Sequence, residues 1–189
     1  MHAAMPAPKS IRRLRACTAL AVGVVLLALS FDSPATASDE SAAAAGDGLA
    51  VQKVSVRIAR IRVKEGVSFD DAVESLRLRA NQRNLKFVGI NHLGKEIETL
   101  GGKPWRSVEI FSFCDALAAQ KMLEADSSML AYMPCRIGIE EDGQGGVWVI
   151  AMLLDEAVID ALPPVARASA RHVTATIREV MVAAARGEL

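Results

Sequence analysis

Apolar and polar residues alternate through "VQKVSVRIARIRVKEG", which begins at Val51. Val54, Val56 and Ile58 stand two apart, the spacing of a strand with one buried face. The alternation slips at Ala59 and Arg60 and resumes at Ile61 and Val63, which predicts a β-bulge. Arg57, Arg60 and Arg62 read as a solvated face. In "GVSFDDAVESLRLRANQRN" the period lengthens, and Phe69, Ala72, Val73, Leu76 and Ala80 share one helical face. Ser68 is placed to accept a hydrogen bond from a first-turn amide, and Asp70 and Asp71 suit the positive helix end.

"LKFVGI" (85–90) predicts a second strand, and "NHLGKEIETLGGKP" a polar connection punctuated by Gly101, Gly102 and Pro104. "WRSVEIFSFC" (105–114) is a third strand, with Val108, Ile110, Ser112 and Cys114 on one face and Phe111 and Phe113 on the other. "DALAAQKMLEAD" predicts a helix capped by Asp115, with Leu117, Met122 and Leu123 inward. A fourth strand carries Cys135, Ile137 and Ile139 in phase. After the turn "GQGG" (143–146), "VWVIAMLL" (147–154) is nearly continuous apolar sequence and suits a central strand. Helix follows over 155–162. Pro163 and Pro164 break it, and a longer helix then carries Val165, Val173, Ile177, Val180 and Met181 as a stripe. The order is β-α-β-β-α-β-β-α-α. Short connections favour antiparallel pairing of the second strand with the third and of the fourth with the fifth. The expected class is α+β, a curved, mostly antiparallel sheet with helices packed on one face.

The chain's start changes the picture of where this domain works. "KSIRRLRA" (9–16) is basic, "CTALAVGVVLLALSF" (17–31) is uncharged and apolar, and "SPATAS" places small residues at Ala35 and Ala37. That succession predicts a secretory signal peptide over 1–37, cleaved after Ala37. The apolar run is short for a spanning helix, which needs about 20 residues, so no stable membrane insertion is expected after cleavage. Cys17 precedes the apolar run and leaves with the signal. "SDESAAAAGDGLA" (38–50) reads as a flexible leader, too poor in bulky apolar surface to repay ordering. Residues 51–189 then form a single domain, in the periplasm or secreted. The excised part holds Lys9, Arg12, Arg13, Arg15 and Asp32, which leaves 18 basic against 21 acidic residues and a formal charge of −3. No cationic cluster survives of the kind nucleic acid demands.

"RNLKFVGINHLGKEIE", "FSFCDA" and "MPCRIGIEEDGQGGVWV" together resemble the domain-of-unknown-function family 302, over roughly Val51 to Met181. The resemblance implies a small α+β domain of the TATA-binding-protein-like type. That name concerns architecture and implies no DNA binding. It brings no established enzymatic activity. Many members have "GNP" where this chain has "FCD", and "LPL" where it has "PCR", so the two cysteines mark a subtype.

Cys114 ends the third strand and Cys135 begins the fourth. Opposed residues of an antiparallel ladder have Cα atoms about 4.5–5.5 Å apart, inside the span of about 4.4–6.8 Å that a disulfide accepts. In an oxidising compartment a structural Cys114–Cys135 bridge is the leading expectation. Three alternatives stay open. The pair is a functional dithiol that exchanges disulfides or handles sulfur, with Arg136 and a helix start stabilising a thiolate. It is a soft-metal site in which Cys114, Cys135 and Met133 hold copper or zinc. Or it is two buried, inert thiols. Met133, Arg136 and His92 are the further ligand-binding candidates. His92 stands four residues from Glu96, a pairing suited to acid–base work, although a loop histidine is more often incidental. His172 reads as a boundary residue and Glu140, Glu141 and Asp142 as a solvated hairpin end. Gly143, Gly145 and Gly146 lack the Lys-Ser/Thr of a phosphate loop. Met122, Met129, Met133 and Met152 are most simply read as core filler. No cofactor is expected. The function expected is a small exported binding or accessory protein, more a binder than an enzyme. Its partner would be a small ligand, another periplasmic protein or a second copy of the chain.

Overall fold

The computed structural model describes Leu49 and residues 51–189. The expected signal peptide and nearly all of the expected leader lie outside the described residues.

Five strands form one sheet: β1 (Val56–Arg62), β2 (Lys86–Asn91), β3 (Val108–Cys114), β4 (Cys135–Glu141) and β5 (Val147–Leu154). Their spatial order is β1-β5-β4-β3-β2, and every neighbouring pair is antiparallel. The helices are α1 (Phe69–Gln82), α2 (Leu93–Gly101), α3 (Ala116–Ala125), α4 (Glu156–Ala161) and α5 (Pro164–Arg186), with a 3-10 turn at Ser127–Tyr132. The class is α+β as expected, with helices packed against one face of the sheet.

Local chemistry explains most boundaries. Ser68 caps α1 by accepting from the Asp71 amide at 3.1 Å, and the Asp71 carboxylate returns a bond from the Ser68 amide at 3.1 Å. Asp115 caps α3 by accepting from the Leu117 and Ala118 amides. Asp155 does the same for α4 through the Ala157 amide. Pro164 occupies the first turn of α5, where its missing N–H costs nothing.

Phe111, Phe113, Ile137, Ile139, Val149 and Leu153 project from the sheet onto Leu76 of α1 and Val173, Ile177 and Val180 of α5, and all are buried. A smaller cluster joins Met122, Met129, Ile159, Leu162, Ala166 and Ala170 beneath α3, the 3-10 turn and α4. Leu117 and Val165, expected in the core, are 72% and 65% exposed. Each lies in the first turn of its helix, on the outward side.

Two elements differ from expectation. The polar connection after β2 contains α2, ended by left-handed Gly102. Also, β1 has no bulge: its register against β5 runs without interruption from Val56↔Leu154 to Arg62↔Trp148. The apparent slip arises because β1 is apolar on both faces. Ala59 and Ile61 meet the core, whereas Val56 and Ile58 lie on the opposite face, 44% and 67% exposed. The sheet's one irregularity falls instead in β2, between Phe87 and Gly89.

A candidate binding cleft where the sheet forks

The face away from the helices can be read row by row from the register. Val108, Glu140, Trp148 and Arg62 stand side by side across the sheet. The next row is Asn91, Ile110, Gly138, Ile150 and Arg60. Beyond it, Gly89, Ser112 and Arg136 align on one side and Met152 and Ile58 on the other. Between these two groups the ladder stops. β4 and β5 pair only from Glu141↔Val147 to Ile137↔Ala151, although β4 continues against β3 to Cys135 and β5 against β1 to Leu154. The sheet therefore forks. One lip carries Cys135 and Arg136, the other Met152, Leu153 and Leu154.

A cavity of about 390 Å³ occupies this fork. Its open-face wall includes Ile58, Ile110, Ile150 and Met152, and its inner wall Met122, Met129, Tyr132 and Ile177. The lining comes from both faces of the sheet, because the missing ladder leaves a way between them. The cavity also lies at the seam of the two core clusters: Cys135 packs on the larger, Met133 and Leu154 on the smaller.

Gly138 sits at the centre of the open-face row. A Cβ there would come no closer than 3.8 Å to its neighbours, the Glu109 and Ile150 carbonyl oxygens. The backbone therefore accepts a side chain at this position. Its absence leaves a trough between Ile110 and Ile150 that leads to the fork.

The polar groups of the site are few. Arg136 lines the cavity and is exposed, with no ion partner or side-chain hydrogen bond among the described residues. The Tyr132 hydroxyl is buried without a hydrogen-bond partner among the described residues. Glu140 also lines the cavity, but its carboxylate lies 3.4 Å from Arg60. Arg60 in turn stacks 3.9 Å from the centre of the Trp148 ring.

The cysteines require a correction. The expected disulfide is not formed: Cys114 and Cys135 are both free thiols. The register is the reason. Cys135 stands opposite Phe113, and Cys114 pairs with Lys86 of β2. Residues directly opposed in an antiparallel ladder share a face, so an offset of one places the two thiols on opposite faces of the sheet. Cys135 faces inward with Phe113, and Cys114 outward with Ser112. Burial first, then the neighbouring Cys114 and Asp115, push the Cys135 thiol up to about 11. Arg136 does not counter this, because its own side chain projects to the open face.

The remaining candidates scatter. His92 precedes α2, and its Nδ1 lies 2.6 Å from Oε1 of Glu109 on β3, so its partner is Glu109 and not Glu96. The His172 ring is 3.9 Å from the Asp115 carboxylate, at the surface. The acidic run is used internally. Glu141 accepts from the Ser107 amide at 3.0 Å, and Asp142 accepts from the Gln144 and Gly146 amides and the Trp148 indole. Those three bonds, the indole's first, pull the Asp142 carboxyl down to about 2. Among the described residues no three His, Cys, Asp or Glu side chains gather as a metal site.

Of the residues singled out from sequence, the structure brings Met133, Cys135 and Arg136 to the cleft, with Met122, Met129 and Met152. It leaves His92 elsewhere. Gly138, Tyr132 and Ile58 were missed. Ile58 had a visible signal, the apolar pair on the wrong phase of β1. Gly138 had only the weaker one of a glycine inside an otherwise regular strand.

The architecture defines a small α+β domain with an open antiparallel sheet and no assigned chemistry. A family model described as "Domain of unknown function DUF302" matches residues 60–184, and the chain belongs to that family. A crystal structure described as "uncharacterized conserved protein DUF302 from Bacillus stearothermophilus" matches with a TM-score of 0.55 and 12% identity, over 67% of this chain and 96% of that one. At that identity it shows the shared fold alone. Among curated proteins none matches.

Proposed function

We propose that this protein is an exported binding protein that holds a small, mostly apolar molecule in the cleft between β4 and β5. One observation carries the reading: the sheet forks around a cavity of about 390 Å³ lined almost wholly by apolar side chains. Ligand sites are characteristically concave, apolar pockets of roughly 300–1,000 Å³ with a few placed polar groups. Arg136 and Tyr132 are such groups here. An apolar approach, with Val56 and Ile58 exposed and Ile110 and Ile150 half-buried, supports the same role, since burying it costs a partner little desolvation.

Export rests on the basic, apolar and small-residue succession of residues 1–37. Cleavage after Ala37 gives a chain beginning at Ser38, which the intact mass of the native protein reads directly. Recovery of the uncleaved chain from membranes contradicts export.

Binding is tested with the neutral fluorophore N-phenyl-1-naphthylamine. The wild-type chain is expected to bind it saturably at one site. Gly138→Val, which fills the trough, is expected to lose that site while staying folded. Binding unchanged by Gly138→Val contradicts the cleft as the site.

A second reading rests on sulfur. Met122, Met129, Met133, Cys135 and Met152 all line the cleft, and thioethers and thiolates favour Cu(I). Cu(I) added alone under reducing conditions tests it: retention of one ion through native mass spectrometry supports the metal, and its loss leaves the organic ligand. A redox pair fits less well. The two thiols face opposite ways, and a thiol pushed up to about 11 is a poor nucleophile at neutral pH.

A further inference from the structure

We infer that the cleft's ligand is a single-chain amphiphile with one negative charge, a fatty-acid-type carboxylate whose head pairs with Arg136 and whose tail enters the fork. This deepens the binding reading above and rests on it.

The charge on the open face gives the sign of the head. By register the face carries Arg60, Arg62, Lys86 and Arg136 against Glu140, and the Asp142 carboxylate, bonded to the Trp148 indole, lies beside Arg62. Arg60 already meets Glu140 at 3.4 Å and the Trp148 ring at 3.9 Å. The Arg62 guanidinium lies 5.8 Å from the same ring. Lys86 is two strands from Arg136, beside Cys114. Arg136 is the cation that both lines the cavity and lacks an ion partner among the described residues. A planar guanidinium with its donors free matches a carboxylate by two parallel hydrogen bonds. One unpartnered arginine calls for one negative charge.

The walls give the nature of the tail. Ile110, one row from Arg136, and Met152 and Ile58, on the opposite lip, line the mouth, and Met122, Met129 and Ile177 line the interior. Four of the lining residues are methionines, whose unbranched, polarizable side chains adapt to a flexible chain better than branched ones do. The route between head and tail is the fork itself. Arg136 projects to the open face while Cys135, its neighbour on the same lip, projects inward. A molecule held by Arg136 therefore reaches the inner wall only by passing between the lips, a route that suits a slender, flexible chain. The Tyr132 hydroxyl, buried without a partner among the described residues, supplies a donor for an oxygen carried along the chain.

The experiment is displacement of bound N-phenyl-1-naphthylamine by decanoate, 1-decanol and decyltrimethylammonium at pH 7.5, in the wild-type chain and in Arg136→Gln. The three share a tail and differ in head charge. The wild-type chain is expected to bind decanoate at least about tenfold more tightly than decanol, and decyltrimethylammonium more weakly than either. Arg136→Gln is expected to lose the preference for decanoate, read as the ratio of the decanoate and decanol displacement constants within the variant. If decanoate and decanol displace equally from the wild-type chain, or if Arg136→Gln keeps the preference, the inference falls while the cleft reading stands. If the neutral fluorophore finds no saturable site, the cleft reading itself falls, and this inference with it.

Discussion

Gly138 and Cys135 show how much a single position decides here. At Gly138 a Cβ meets nothing closer than 3.8 Å, and no unusual backbone angle requires glycine. Valine is a better strand former, by up to about 1 kcal/mol on strand scales. Gly138→Val is therefore expected to melt at the same temperature or a few degrees higher, followed by circular dichroism, while the cleft is filled. Such a gain in stability with a loss of binding is what a position kept small for a ligand predicts. Cys135 makes a different prediction. Its thiol rises from 9.0 to about 11 on folding, so between those values the folded chain holds a proton that the unfolded chain has released. Its contribution is complete below pH 9 and fades as pH climbs toward 11, by on the order of 2–3 kcal/mol. Denaturant midpoints of the wild-type chain and Cys135→Ala should converge across that window; a constant gap contradicts the buried, protonated thiol. From sequence, Cys135 was correctly placed in phase with Ile137 and Ile139. Its relation to Cys114 was not legible, because strand periodicity fixes each face and says nothing of the offset between two strands.

At the scale of elements, the helices with strong caps were readable and the short polar one was not. Ser68 and Asp115 announce α1 and α3, and both bond as their positions suggest. The segment that became α2 offers no capping side chain: His92 makes no cap hydrogen bond and turns to Glu109 instead. What seats α2 is a close approach. A Cβ on Gly94 would lie 2.6 Å from the Arg106 carbonyl oxygen and 2.8 Å from the Val108 amide nitrogen, both backbone atoms that cannot step aside. Gly94→Ala is thus expected to destabilise the fold by roughly 1–3 kcal/mol through overpacking. Hydrogen exchange should rise first in α2 and at the start of β3. Unchanged exchange there contradicts this seating. The supposed bulge in β1 teaches a related lesson. An apolar residue on the wrong phase of a strand signals either a slip in the backbone or a second apolar face, and composition alone does not separate them. Val56 and Ile58 are the second case, and they mark the approach to the cleft.

For the whole molecule, the class, the strand count and the antiparallel pairing were legible because the hydrophobic periods and short connections leave few alternatives. The fork was not. It is a property of how far two ladders extend, β4 along β3 and β5 along β1, and no residue type announces it. Once formed it brings four methionines from four separate elements or connections to one cavity: Met122 of α3, Met129 of the 3-10 turn, Met133 before β4 and Met152 of β5. Met181, on the core side of α5, does not line that cavity. That distribution permits a direct measurement. The chain is labelled with carbon-13 at the methionine methyls, and two-dimensional NMR spectra are recorded as decanoate is added, with each resonance assigned by a Met→Leu replacement. The methyls of Met122, Met129, Met133 and Met152 are expected to shift together along one saturating curve, with Met181, outside that cavity, shifting less. Four still resonances, or a Met181 shift as large as theirs, contradict the cleft as the binding site.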